Sequence, residues 1–472
     1  MTDRIPDYVF TLAKTFQDES FDIYLVGGCV RDLLLNKPVK DWDFTTNATP
    51  EQILKLFPDG FYDNAFGTVG IQLEIKSEEK TIVEITTFRS EEGYSDNRRP
   101  DKVIWGTSIE EDLKRRDFTI NAIAMNIKSL PGEPIASDSL HTQNITSEKT
   151  ITFIDPFEGQ KDLEKRLIKT VGDPDERFRE DALRLMRAIR LATQLSFTIA
   201  QHTLDAITKN ASSIQNISHE RIRDELFKIL ASDYPYEGMI LLKNTGLLEY
   251  ILPELLEGIG VSQERPGRHH KTDVFTHNLM SLRLTPSKDP VVRFATLIHD
   301  VAKPRVSGVD KDGYIIFHNH EIEGAKMASE ISDRLRLSKK EKQKIVTLVR
   351  WHMFTVDEHT TDAAIRRFIR RVGVENIKDM IDLRIGDRLG SGTETAESWR
   401  LKLFKKRLEE QLAPAPFSIN DLAIDGNDIM KEFDLKPGPK IGEILQTLFE
   451  EVDEDLSKNT REFLLNRVKK IK

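Results

Sequence analysis

The apolar positions change period along the chain. In the N-terminal part they run in short β-type stretches. FDIYLV at 21–26 is one and DWDF at 41–44 a second; Val69 to Ile75 and Thr81 to Arg89 read as further strands with polar turns between them. Gly27-Gly28 follows the first strand, a helical stretch runs from Val30 to Leu35, and Lys37-Pro38 breaks it. Residues 128–150 are rich in Ser, Thr, Pro and Gly and read as a loop or insertion. After about residue 160 the period becomes 3.6 almost throughout. Leu185, Ile189 and Ala192 share one face of a helix predicted over Asp181 to Ala192. Ile222, Leu226 and Ile229 do so over Ser218 to Leu230, with Ser218 as N-cap. SQERPGRHHK (262–271) and LAPAPFSIN (412–420) read as junctions.

Composition narrows the class. A chain of 472 residues, 39% apolar and 31% charged, has room for about three ordinary globular domains. Its net charge of −9 excludes a globally basic nucleic-acid binder and leaves room for local basic patches. The single cysteine, Cys29, excludes a disulfide framework and a cysteine-based zinc site and fits a reducing compartment. No stretch approaches 18 consecutive apolar residues, so no membrane span is expected. The N-terminus MTDRIPDYVFTLAKTF lacks a basic segment followed by an apolar one, so a cytoplasmic location is expected.

The chemistry-bearing residues of the N-terminal part come in order. Gly27 and Gly28 can form a tight turn whose N–H groups approach a phosphate, next to a helix start with its positive dipole end. Asp41 and Asp43 alternate on a predicted strand, so both carboxylates point to one face and call for a cation. Mg²⁺ held by one or two Asp and substrate phosphates is the usual solution, and two such ions activate a hydroxyl and steady a leaving pyrophosphate. Glu84, an acid amid Ile82, Val83 and Ile85, is either on a solvated face or a third ligand. Arg115 and Arg116 suit phosphate or sugar contacts, and Asp117 could accept from a ribose hydroxyl; solvated charges at a helix end are the plainer reading. Asp181 and Arg184, three apart on the predicted helix, either pair with each other or read a base. One acceptor and one donor match the Watson–Crick edges of both cytosine and adenine and mismatch uracil and guanine.

Together GGCVRD with DWD, RRDFTINAIA (115–124), DPFEGQKDL (155–163), RFREDALRLMRAIR (177–190) and ISHERIRDELFKIL (217–230) resemble the class II tRNA nucleotidyltransferases, the CCA-adding enzymes of the poly(A) polymerase-like family. The resemblance implies an α+β fold: a small mixed α/β head with an antiparallel-type sheet (1–150), a helical neck (151–260), an HD-like helical body (261–410) and a helical tail (411–472) that binds tRNA. It implies that Asp41 and Asp43 bind the catalytic metal; Glu84 stays a candidate third carboxylate on its residue context alone. It places Gly27, Gly28 and Arg31 on the triphosphate, and Arg116 and Asp117 on the sugar with Asn121 of the same box nearby. Asp181 and Arg184 would read the base, with Arg187 and Arg190 close by. The stretch 90–107, with Arg98 and Arg99, corresponds to the family's mobile loop.

His269, His270, His277, His299, His318, His320 and His352 gather in the middle of the chain, where any one of them alone reads as a hydrogen-bonded core residue. His299-Asp300 closes an apolar helix predicted from Val291 to Ile298, with Lys303 one turn on, and a buried Asp needs a partner. His277, His299, Asp300 and Asp387 resemble the HD phosphohydrolase pattern, and His320 and His352 resemble the extra ligands of its two-metal forms. Mn, Ni, Fe and Mg all remain open as the metal. A helical scaffold that only holds tRNA is the alternative.

Arg366, Arg367, Arg370 and Arg371 form one basic stripe on a helix, and residues 461–472 carry five basic side chains and one acid. Both are candidates for docking an RNA backbone. The expected activity is addition of C, C and A to tRNA 3′ ends from CTP and ATP with Mg²⁺. The rivals are an A-adding or CC-adding enzyme, a poly(A) polymerase, an HD phosphohydrolase with a nucleotide-binding head, and a noncatalytic tRNA-binding protein.

Overall fold

The computed structural model describes residues 1–62, 67–76, 79–92, 102–105, 108–130, 148–264, 272–354, 357, 359–412 and 418–471. The chain divides into two compact units, Met1–Ile251 and Leu252–Lys472. The junction expected near residue 260 falls close to that division.

The first unit begins with a sheet of seven strands. These are β1 (Ile23–Val26), β2 (Asp43–Thr46), β3 (Phe61–Tyr62), β4 (Thr68–Lys76), β5 (Glu79–Thr87), β8 (Ala124–Leu130) and β9 (Glu148–Ile154), in the order β3-β4-β5-β2-β1-β8-β9. A separate hairpin is made by β6 (Arg89–Glu92) and β7 (Lys102–Trp105). Within the large sheet β2 and β5 run parallel and the other pairs antiparallel. Strand β1 is buried along its whole length, whereas β5 alternates: Val83 and Ile85 are buried, Ile82 and Glu84 exposed. The helix Asp7–Asp18 packs on β1 and β8 through an apolar stripe of Val9, Phe10, Leu12, Ala13 and Phe16.

Three local expectations are corrected. Strand β2 begins at Asp43, so Asp41 lies in the segment ahead of it and not two residues along a strand. Both ends of the 128–150 stretch pair as β8 and β9, and residues 131–147 lie outside the described residues. The polarity that resembled a loop belongs to an edge strand, where Thr150 and Thr152 stay exposed. The helix expected from Asp181 runs over Leu183–Leu195, and Asp181 itself is extended. The helix His219–Leu230 follows Ser218 as expected, although the serine side chain makes no capping bond.

The second unit is almost entirely helical. Val274–Leu284, Pro290–Leu297, His320–Arg334, Lys339–Trp351 and Ile377–Gly390 surround its histidines, and Asp273, Asp289 and Ser338 cap three of these helices with side-chain bonds. The last helices, Gly426–Phe433, Pro439–Glu454 and Arg461–Ile471, share a small core of Ile429, Leu448, Val452, Leu464 and Val468 with their neighbours. Among the described residues no helix is long and apolar enough to cross a membrane.

The arginine stripe on the helix Asp362–Val372 is not an open basic face. Arg366 donates to Asp453 at 2.7 Å, Arg370 to the same carboxylate at 2.5 Å, and Arg367 pairs with Glu454. Arg371 lies over the Trp351 ring at 5.0 Å. Three of the four charges therefore fasten the helix Pro439–Glu454 to the body, a partnership that helical spacing alone does not reveal.

Candidate functional site

In the head, parallel pairing of β2 with β5 sets Asp43 directly opposite Glu84. Paired residues on neighbouring strands project to the same face, and here that is the exposed face of β5. Asp43 is half-buried. Burial pushes its carboxyl up; Arg116 opposes this, and Glu84 and Asp41 push it further in the same direction, with Arg31 a weaker opposing charge. Asp41, Asp43 and Glu84 thus form one electrostatic cluster, with Glu84 on the exposed face of β5. Gly27, at φ 75°, forms the turn between β1 and the helix Gly28–Leu34. A Cβ at Gly27 would lie 3.1 Å from an Arg116 Nη and 3.8 Å from an Asp43 Oδ, so the glycine lets backbone, guanidinium and carboxylate converge. A crowded acid set beside an unobstructed backbone suits a hard divalent cation shared with phosphate oxygens.

Around this cluster the arginines are held by acids that sequence reading overlooked. Buried Asp112 accepts from Arg115 at 2.8 Å and from Arg116 at 3.1 Å. Burial would raise its carboxyl, but the two arginines outweigh it and hold it low. The i,i+4 spacing of Asp112 and Arg116 was the available signal. Arg31 donates to Asn121 at 2.8 Å and to Asp32 at 2.9 Å. Asn121 donates to Asp117 at 3.0 Å, and Arg187 donates to Asp117 through Nε at 2.9 Å and Nη2 at 2.6 Å. The Phe118 N–H also bonds Asp117, so all four acceptor positions of this buried carboxylate are used. Burial would push it up, yet Arg187 and Asn121 hold it well below the usual carboxylate range. Asp117 is therefore the hub that orients Arg187 and Asn121, and it offers no spare acceptor to a ribose.

Asp181 and Arg184 do not pair with each other. Asp181 accepts from Arg221 at 2.8 Å and from the Leu183 N–H at 3.0 Å; Arg184 donates to Glu180 at 2.5 Å and to the Arg115 carbonyl at 3.0 Å. Each is fixed by a separate partner. Arg221, 40 residues from Asp181, had no sequence signal. Arg190 bonds buried Glu225 at 2.5 Å. Arg98 and Arg99 lie outside the described residues, as do His269 and His270.

The second unit brings His277, His299, Asp300, His320, His352 and Asp387 together, all buried. His277 Nε2 lies 3.3 Å from Asp300 Oδ2 and 3.2 Å from Asp387 Oδ1, and His299 Nε2 lies 3.4 and 3.6 Å from the same oxygens. His320 and His352 turn Nε2 to the other Asp300 oxygen, at 3.3 and 3.6 Å. The Nδ1 atoms of His299, His320 and His352 lie 2.7, 2.8 and 2.7 Å from backbone carbonyls, the arrangement that frees Nε2 as a ligand. His320 Nε2, His352 Nε2 and Asp300 Oδ1 are buried without hydrogen-bond partners. Two ligand groups thus share Asp300: His277, His299 and Asp300, and Asp300, His320 and His352. A Cβ at Gly386 would strike Thr285 Oγ1 at 2.2 Å, so this glycine lets the helix that carries Asp387 lie close against the end of the helix that carries His277. Lys303 lies 2.5 Å from Asp300 Oδ2; burial would raise that carboxyl, but Lys303 together with His299, His277 and His320 holds it well below its ordinary value. Burial lowers His277, but the two carboxylates outweigh it and raise the imidazole to about 9.

Comparison with known proteins bears on both units. The poly A polymerase head domain matches residues 23–169, the RNA and SrmB-binding site of polymerase A matches 196–258, and tRNA nucleotidyltransferase domain 2 matches 316–468. The CCA-adding enzyme of Geobacillus thermodenitrificans is 44% identical over 52% of this chain and 54% of its own, so the chain spans about half the length of such relatives. The CCA-adding enzyme of Anoxybacillus flavithermus is 30% identical over 93% of this chain and 90% of its own. The A-adding tRNA nucleotidyltransferase of Deinococcus radiodurans is 35% identical over 73% and 75%. The crystal structure of the Bacillus stearothermophilus CCA-adding enzyme in complex with CTP superposes with a TM-score of 0.65 at 25% identity, covering 98% of this chain and 97% of that one. With its paired carboxylates, glycine turn and anchored arginines in the expected order, the chain belongs to the class II tRNA nucleotidyltransferases, the family of the CCA-adding enzymes.

Proposed function

We propose that the protein adds C, C and A to the 3′ end of tRNA from CTP and ATP, releasing pyrophosphate, in the cytoplasm. The observation that carries this is the register pair Asp43–Glu84 with Asp41 beside it, next to Gly27 and Arg116. Asp41, Asp43 and Glu84 would hold Mg²⁺, which when bound activates the terminal ribose hydroxyl and steadies the leaving pyrophosphate. The N–H groups at Gly27 and Gly28 and the Arg31 and Arg116 guanidinia take the triphosphate and sugar. Asp117 and Asn121 orient Arg31 and Arg187 around it. Asp181 accepts from the exocyclic amine of cytosine or adenine and Arg184 donates to the adjacent ring nitrogen. Their separate anchors, Arg221 and Glu180, keep them from pairing and closing the base site. The chemistry is positioning and electrostatics, with no covalent enzyme intermediate.

The similarity to the A-adding enzyme supports a second reading, in which only the last nucleotide is added. The partnerless nitrogens and the shared Asp300 support a further activity of the second unit, metal-dependent phosphohydrolysis, with His277, His299, Asp300 and Asp387 as one ligand set and Asp300, His320 and His352 as the other. The test is extension of transcripts ending before CCA, in C and in CC, with Mg²⁺ and each nucleotide alone and together. Growth by three nucleotides, lost in Asp41→Ala, supports the first reading. Growth of the CC-ended transcript alone supports the second, and phosphate release without extension moves the function to the histidine centre.

A further inference from the structure

The pairing that joins Asp43 to Glu84 continues outward. Glu84 stands opposite Gly70 on β4, and Gly70 opposite Phe61 on β3. Asp43, Glu84, Gly70 and Phe61 therefore form one row across four strands, on one face of the sheet. The Phe61 ring lies flat on Gly70: a Cβ added there would meet Phe61 Cζ at 2.4 Å. Phe61 is nonetheless 47% exposed, and Ile82, two residues before Glu84 on the same face, is 60% exposed. Folding gains little from an aromatic ring left half in water.

The row also has a direction. Gly27 and Arg116 stand at its Asp43 end, next to β1, and claim that end for the incoming nucleotide. In-line attack requires the nucleophile to approach from the side opposite the leaving pyrophosphate. The other side is β4 and β3, three strand spacings or about 14 Å from Asp43 to the Phe61 backbone, and the ring reaches back toward Glu84 over the bare glycine.

We infer that Phe61 is the platform on which the base of the RNA's 3′-terminal nucleotide stacks, setting its ribose hydroxyl over Asp43 and Glu84. This rests on the reading of the head as an RNA 3′-end nucleotidyltransferase. Stacking on an aromatic face tolerates any base. That is what a site needs when its primer end changes with each addition while its nucleotide pocket still discriminates.

A ring over glycine can also merely shield a sheet edge, and leucine separates the two roles, since it covers Gly70 without offering a π face. The full-length protein would be given transcripts ending before CCA, with either a normal or an abasic 3′-terminal nucleotide. Phe61→Leu is expected to raise KM for the normal transcript about ten-fold, the scale of one base–aromatic stack. KM for CTP and the melting temperature stay at wild-type values. Phe61→Trp is expected to restore the transcript KM, and the abasic transcript to show the same KM with wild type and Phe61→Leu. Wild-type behaviour of Phe61→Leu on the normal transcript, or an equal loss on the abasic one, overturns the assignment while leaving the activity in place. Failure of the wild type to extend either transcript overturns the activity and this assignment with it.

Discussion

Asp43 and Glu84 stand side by side although 41 positions separate them, because β2 and β5 are parallel neighbours in an otherwise antiparallel sheet. Two acids and a third, Asp41, are thereby crowded at the end of a strand whose carboxyl is already pushed up by burial. Replacing Asp43 by Asn should cut nucleotide addition by at least about a hundred-fold, since the charge that holds the cation is lost. It should not lower the melting temperature in metal-free buffer, because a repelled charge is removed. Rapid-quench extension together with thermal melts would check both; loss of activity accompanied by marked destabilisation would assign Asp43 a structural role.

Asp117 should govern stability more than sugar binding. It is buried and bonded to Arg187, Asn121 and Phe118, so Asp117→Asn breaks a buried ion pair, a change worth about 3 kcal/mol. Its folded-state carboxyl is depressed. The stability it contributes is therefore complete above the unfolded value of about 4 and is lost as pH falls below that toward the folded value. Urea midpoints from pH 7 down to pH 3 should fall more steeply for the wild type than for Asp117→Asn. Parallel curves would show that the carboxylate does not report folding.

Asp300 joins the two ligand groups of the second unit, and the count of bound ions should depend on it. In an Asp43→Asn background, which removes the cation site of the head, loading with Mn²⁺ and gel filtration should leave two ions per chain by elemental analysis. His320→Ala should leave one, and Asp300→Asn none. Retention of both ions by Asp300→Asn would exclude the shared-ligand arrangement.

Asp453 should act as a fastener of the tail. It accepts from Arg366 and Arg370, both on the helix Asp362–Val372. Asp453→Asn leaves buried Arg366 short of its charge partner and should cost about 3 kcal/mol, read as early unfolding of residues 419–471 by hydrogen exchange. Arg367→Ala, which removes a surface pair with Glu454, should change stability by less than about 1 kcal/mol and tRNA affinity by less than about two-fold. A steep loss of tRNA binding in Arg367→Ala would restore the stripe as an RNA-docking face.

Much of this protein was legible in one dimension. A short apolar run located β1, β-type stretches located β4 and β5, and period-3.6 stripes located the helices around Leu185 and Ile222, because the pleat and the helical turn space buried positions regularly. The glycine turn at 27–28, the acids and the His299-Asp300 doublet were visible because their chemistry is carried by residue type and close spacing. Edges were less legible. Asp41 fell outside its strand, Asp181 fell between two helices, and β9 was hidden in a polar stretch because an edge strand needs only one apolar face.

What tertiary structure decided was which charges meet. Asp117 with Arg187, Asp181 with Arg221, and Arg366 with Asp453 lie 70, 40 and 87 residues apart. No local period encodes such pairs. A charge in a sequence carries its sign and its reach, but whether it faces a substrate or a buried partner depends on which element the fold lays against it. The four arginines on the helix Asp362–Val372 show this most plainly. Their spacing determined one basic stripe, and only the packing of the helix Pro439–Glu454 against them decided that three of those charges would be spent on acids of the same chain.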